Sequence, residues 1–167
     1  MVMGTASTMA SIAEGLGMSL PGCAAIPAVD ARRRHMSEMT GKQIVKLVEA
    51  DIRPRDIMTK EALENAIKVT MASGGSTNAI IHLVALAQRL GMALPLENFD
   101  KISAETPFIL NVRPSGQYQM EEYFEAGGVP ALMKELEPLL HTACLTVTGK
   151  TVAENLDGVK VLDRQVI

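Results

Sequence analysis

The stretch Gly74-Gly75-Ser76-Thr77-Asn78 combines residue types and spacing that could do chemistry. Paired glycines let a backbone come close to whatever lies in front of it. The hydroxyls and amide that follow stand at the start of a helical pattern, where the first turn leaves backbone N–H groups free. Ser76 or Thr77 can cap some of those donors. Two readings follow. One is a tight, well-capped turn between two helices. The other is an anion site that uses the free N–H groups and the positive end of the helix dipole. No Lys follows the glycines and no third glycine stands at dinucleotide spacing, so neither phosphate fingerprint is present. A carboxylate or small polar substrate fits better than a nucleotide. Gly75, Ser76, Thr77 and Asn78 are therefore the candidate substrate-binding or site-proximal residues.

Other reactive side chains are sparse. His35, His82 and His141 lie in unrelated contexts, and no His-x-x-x-His, paired-carboxylate helix or Ser-His-Asp arrangement stands out. His82 falls on an apolar helical pattern and reads as a satisfied core residue. Cys23 and Cys144 lie far apart without a Cys-x-x-Cys partner, so they make no metal site by themselves and read as reduced and structural.

The bulk numbers frame these residues. The chain has 167 residues, 47% apolar and 21% charged, as an ordinary domain does. A net charge of −3, with three Phe, two Tyr and no Trp, argues against nucleic acid. No apolar run is long enough to span a membrane, and the start lacks a basic leader followed by an apolar core. The expectation is a cytoplasmic protein.

The elements that must position the turn are mostly helical. Gly4 to Leu16 reads as a helix of small residues stopped by Gly17, with Met9, Ile12, Ala13 and Leu16 on one face. Ala28 to Ala50 is helical, with a fresh start expected at Thr40, where Thr40-Gly41-Lys42-Gln43 has a capping-box pattern. Ile44, Leu47 and Val48 should then face inward. Arg32, Arg33 and Arg34 read as solvated surface or as an anion-facing or subunit-facing patch. Thr59 caps a helix over Lys60 to Ser73, with Leu63, Ala66, Ile67 and Thr70 inward. After Asn78, Ile80, Ile81, Leu83, Val84, Leu86 and Leu90 surround their helix, which predicts a buried helix with a buried N-terminus. Short helices are expected at Leu96 to Ile102, Met120 to Ala126, from Pro130 to Leu139 or Leu140, and at Thr151 to Asn155. Phe108-Ile109-Leu110, Leu145-Thr146-Val147 and Lys160-Val161-Leu162 suit extended strands. The reading is a helix-rich α/β domain.

Several blocks carry a family resemblance. They are Met3-Gly4-Thr5-Ala6-Ser7-Thr8-Met9, Leu16-Gly17-Met18-Ser19-Leu20-Pro21-Gly22, Gly74 to Asn78 followed by His82-Leu83, Ala126-Gly127-Gly128-Val129-Pro130, Leu145 to Thr151, and Val161-Leu162-Asp163-Arg164. In order and spacing they resemble the dihydroxy-acid and sugar-acid dehydratases, along the whole chain. The Ala25 to Asp30 segment looks closer to the dihydroxy-acid and aldonate (arabinonate, xylonate) branches than to the phosphogluconate branch. Members are much longer, so the resemblance implies an internal piece. Residues 1–158 would be the second half of a three-layer α/β/α N-terminal domain, and 159–167 the approach to a β-rich C-terminal domain.

The resemblance implies a hydro-lyase that converts a 2,3-dihydroxy acid to a 2-keto acid with an iron–sulfur cluster and Mg. Cluster cysteines supply thiolates, and metal ions polarise substrate oxygens. The family's last cluster cysteine falls immediately before Met1, and its Mg ligands and proposed base fall upstream or downstream of these residues. No catalytic residue and no metal ligand is carried here, and the isolated chain is expected to bind neither cofactor and to be inactive. Gly4, Thr5, Ala6 and Ser7 would line the cluster pocket as a helix N-terminus, whose dipole favours an anion. Gly75 to Asn78 would face the active site. The resemblance also implies a homodimer or dimer of dimers for the full-length protein. The competing reading is a free-standing, non-catalytic domain that binds a small acid or assembles with a partner.

Overall fold

The computed structural model describes Met1–Ile167. Nine α-helices carry the fold: α1 Thr5–Gly15, α2 Ala31–Glu49, α3 Pro54–Ile57, α4 Lys60–Ala72, α5 Asn78–Arg89, α6 Leu96–Glu105, α7 Met120–Glu125, α8 Gly128–Glu135 and α9 Val152–Leu156. A 3₁₀ turn at Glu137–Leu139 follows α8. None of the helices is long and apolar enough to cross a membrane.

The central helix is α4. Thr59 caps it by accepting from the Ala62 N–H at 3.2 Å. Ala62, Leu63, Asn65, Ala66, Ile67, Val69, Thr70 and Ala72 are all buried, so nearly the whole circumference is covered. One side joins Ile12, Leu83, Phe99 and Ile102, from α1, α5 and α6. The other, through Val69 and Ala72, joins a larger cluster around Leu110, Val112, Tyr123, Val129, Leu132 and Leu136. Helix α1 lies tight against α4 because its contact face is small. A Cβ built on Gly15 would come within 3.1 Å of Val69 Cγ2, so any larger residue there would crowd the α4 side chain.

Several expectations need correction. The buried helix is α4, not α5. On α5 only Ala79, Leu83 and Ala87 are buried, Ile81 is 70% exposed, and His82 is exposed rather than in the core. Apolar residues around a helix do not bury it when neighbours cover one side only. Helix α2 runs unbroken through Thr40, whose hydroxyl donates back to the Met36 carbonyl instead of capping a new start. Of its expected inward residues only Leu47 is buried, whereas Ile44 and Val48 are exposed.

The strands do not form either. Phe108 is exposed, and the N–H groups of Ile109 and Leu110 both donate to the Ala72 carbonyl, wrapping this run around the end of α4. Leu145 makes one isolated antiparallel bridge to Thr151, within a turn closed by Thr146 N–H to the Lys150 carbonyl at 2.9 Å. At Lys160–Leu162 the one backbone bond is Leu162 N–H to the Ala126 carbonyl. The helix-rich part of the expectation holds, and the three expected strands are corrected: these residues contain no sheet, only bridges at Val112–Tyr118 and Leu145–Thr151. A β-strand needs a partner edge for its N–H and C=O groups, and a single apolar run does not create one.

Candidate functional site

The two stretches singled out in the sequence meet. Helix α1 begins at Thr5 after Gly4, and Ser7 reaches back so that its Oγ accepts from the Gly4 N–H at 2.8 Å. Across from this turn, α4 ends and the chain reverses through Gly74, with φ of +60°, a conformation glycine adopts without strain. A Cβ on Gly75 would sit 2.8 Å from Thr8 Cγ2 and 3.0 Å from Thr70 Cγ2, so the turn lies directly on α1 and α4.

A chain of polar contacts locks the junction. The Ser76 N–H donates to Thr8 Oγ1 at 3.1 Å, and Thr8 is fully buried. Thr5 Oγ1 lies 3.1 Å from Ser76 Oγ and accepts from Asn78 Nδ2 at 3.0 Å. Ser76 Oγ also accepts from the Asn78 N–H at 3.3 Å, which caps the first turn of α5. Thr77 makes no side-chain cap, and its exposed hydroxyl has no protein partner. Contrary to the buried N-terminus expected, Thr77 and Asn78 are exposed, so this end of α5 lies at the surface. Of the eight candidates, Thr5, Ser76 and Asn78 are joined directly by side-chain bonds. Gly4 and Ser7 pair with each other, and Ala6 is exposed beside them.

Gly4, Ala6 and Ser7 also form one wall of a concavity of about 320 Å³. Ala25, Ile26 and Arg33 line the same concavity. The Arg33 guanidinium is committed to the loop: it donates to the Cys23 carbonyl at 3.1 Å and to the Ile26 carbonyl. Arg32 pairs with Asp30 at 2.7 Å and lies over the Phe124 ring. These bonds lower the Asp30 carboxyl to about 2. The arginine run is therefore divided between a structural clamp, an ion pair and the exposed Arg34, rather than forming one anion-facing patch.

Two features escaped the sequence reading. Glu14 is buried on α1, where its carboxylate accepts from the Gly22 N–H at 2.5 Å and the Ala24 N–H at 2.9 Å. Burial pushes its pKa up to about 7. Its place beside Ser11 and Gly15, on the small-residue face, is the signal that could have found it. His141 Nε2 lies 2.7 Å from Glu64 Oε2, and Asn65 clamps the His141 backbone through both its amide groups. That contact joins α4 to a loop distant in sequence, and no local pattern announces it.

The donor set does not fit an iron–sulfur cluster or a Mg ion. No group of three or more His, Cys, Asp or Glu side chains is placed to hold a metal. The two cysteines are half-buried on separate loops, Cys23 beside Arg33 and Cys144 beyond the 3₁₀ turn.

With that geometry in place, the relatives are informative. The dihydroxy-acid/6-phosphogluconate dehydratase N-terminal family matches residues 1–155. A dihydroxy-acid dehydratase of Ignicoccus hospitalis is 52% identical over 98% of this chain, and 30% of that relative is covered. A dihydroxy-acid dehydratase 2 of Staphylococcus saprophyticus is 55% identical over 93% of the chain and 28% of its own length. A third, from Acinetobacter baylyi, is 50% identical over 99% and 30%. The chain thus spans about 30% of the length of the curated relatives it matches. With both glycine-led blocks inside the matched span, the chain belongs to the dihydroxy-acid/6-phosphogluconate dehydratase N-terminal family.

Proposed function

We propose that this chain is the N-terminal-domain portion of a hydro-lyase that removes water from a 2,3-dihydroxy acid to give a 2-keto acid. One observation carries the reading beyond family membership: the Thr5–Ser76–Asn78 contact brings the α1 N-terminus and the Gly74–Asn78 turn into one polar surface. The roughly 50% identity to proteins named dihydroxy-acid dehydratase favours, within that class, their substrates over a sugar acid.

In this proposal the chain's own residues position and bind, and none is catalytic. Thr5, Ser76 and Asn78 spend their polar atoms on one another, which fixes the turn. Thr77, with its hydroxyl free, and the Thr5–Ser7 backbone present donors toward bound groups. The iron–sulfur cluster and Mg proposed for the full-length enzyme take their ligands from outside these residues, and the 167-residue chain alone is inactive. A boundary near residue 158, a sheet completed by other parts of the enzyme, and a homodimeric or dimer-of-dimers assembly in the cytoplasm belong to the same proposal.

The test is a keto-acid assay of the full-length protein with 2,3-dihydroxy acids and aldonates, beside the 167-residue chain. Turnover of a dihydroxy acid by the long form alone is expected. Turnover by the short chain, or of no dihydroxy acid by a reconstituted long form, overturns the proposal.

A further inference from the structure

Helix α2 meets the rest of the molecule along one line. Arg33, Met36, Gln43 and Leu47 are its partly or fully buried residues, and Arg33 and Gln43 bond to the Cys23, Ile26 and Val147 carbonyls. At about 100° of turn per residue these four fall within roughly 80° of one another. A different side, turned about 130° from that line, is uncovered along its length. Gly41, Val45 and Val48 stand there, and both valines are more than half exposed. A Cβ on Gly41 would meet nothing within 4 Å, so a second backbone can come close at that point. Ile44, at the edge of this side, also lines an apolar groove of about 310 Å³ with Met18, Leu20 and Ile52. The uncovered apolar surface therefore continues past the helix.

The charges on this side are segregated. Arg34 stands beyond one end of the apolar patch and Glu49 beyond the other, about 22 Å apart along the axis. Both are exposed and neither has an ion-pair partner, whereas nearby Arg32, Lys42 and Arg53 are paired with Asp30, Glu38 and Asp51. A patch with unused opposite charges at its two ends complements itself when a second copy runs antiparallel to it. A two-fold axis near Gly41 sets Arg34 of each copy beside Glu49 of the other and the valines between them. A parallel pairing would set Arg against Arg and Glu against Glu.

We propose that the outer face of α2 is a two-fold interface, where Gly41, Val45 and Val48 pack against the same face of a second copy of this chain and Arg34 pairs with Glu49 of that copy. This assigns a surface to the two-copy assembly proposed above and does not rest on the dehydration reaction. Within one copy the face has no covering, so substitutions there cost the lone chain little stability and act on association instead.

The experiment is sedimentation equilibrium of the full-length protein over a dilution series, read as the Kd for pairing of copies. Three forms are compared: unsubstituted, Arg34→Glu, and Arg34→Glu with Glu49→Arg. The single substitution sets Glu against Glu at both ends of the interface and should weaken association about tenfold or more. The double substitution exchanges the charges and should return Kd to within about threefold of the original. Positions 34 and 49 of one copy are too far apart to touch, so that rescue requires a second copy in antiparallel register. A monomeric unsubstituted protein overturns the proposal. So does an unchanged Kd in Arg34→Glu, the result expected if another segment of the full-length protein covers α2 or if copies meet elsewhere. A double variant as weak as the single one overturns it too. The keto-acid assay is independent of this readout, so failure of the dehydratase reading and failure of the interface are told apart.

Discussion

Helices α1 and α2 invert the usual rule for what goes inside. Helix α1 buries Thr8, Ser11 and Glu14, whereas α2 leaves Ile44, Val45 and Val48 at 55% exposure or more. The difference lies in how closely each helix can be approached. Small residues and Gly15 let α1 sit close against α4, where a Cβ at position 15 would already crowd Val69. Its polar groups then find partners within reach: Thr8 takes the Ser76 N–H, Ser11 the Ser7 carbonyl, Glu14 the loop amides. Helix α2 buries only Leu47, against Ile57 and Val147, and leaves Ile44, Val45 and Val48 exposed. Burial here follows from proximity and satisfied hydrogen bonds, not from hydrophobicity alone.

The sharpest way to break the contrast is to widen the α1 contact. Gly75→Val would drive a side chain into Thr8 and Thr70, and should destabilise the chain by about 2 kcal/mol in chemical denaturation. At the other extreme, Val48→Ser on α2 removes a side chain that is 73% exposed. It should change stability by no more than about 0.5 kcal/mol in the same measurement, because little burial is lost and helix propensity hardly changes. A large loss at Val48 would mean that α2 packs more closely than described.

Helices were legible because caps and periodicity are local. The Thr59 cap was readable from neighbouring residues, and α4, α6, α7 and α9 lie within a few residues of expectation. Thr40 was misread because a capping box describes a helix start only if the chain is not already helical. Strands were misread because Phe108–Leu110 and Leu145–Val147 have the right composition, but pairing depends on a second segment. At the candidate site, the sequence marked Gly4–Ser7 and Gly75–Asn78 separately. Only the fold shows Thr5 touching Ser76 and Asn78, a contact across 71 and 73 positions. Glu14 stayed hidden because its one local signal, a place beside Ser11 and Gly15 on the small-residue face of α1, was not read as burial.

In the proposed function, the α1–turn junction serves dehydration by the full-length protein rather than the fold alone. Turnover of the full-length enzyme should be measured for Ser76→Ala and Thr77→Ala, alongside each variant's melting curve. The account predicts a fall in kcat of about tenfold or more, beyond what any loss of folded protein explains; a tenfold fall corresponds to roughly 1.4 kcal/mol in the transition state. Unchanged turnover in well-folded variants would contradict it and reduce the junction to a structural turn.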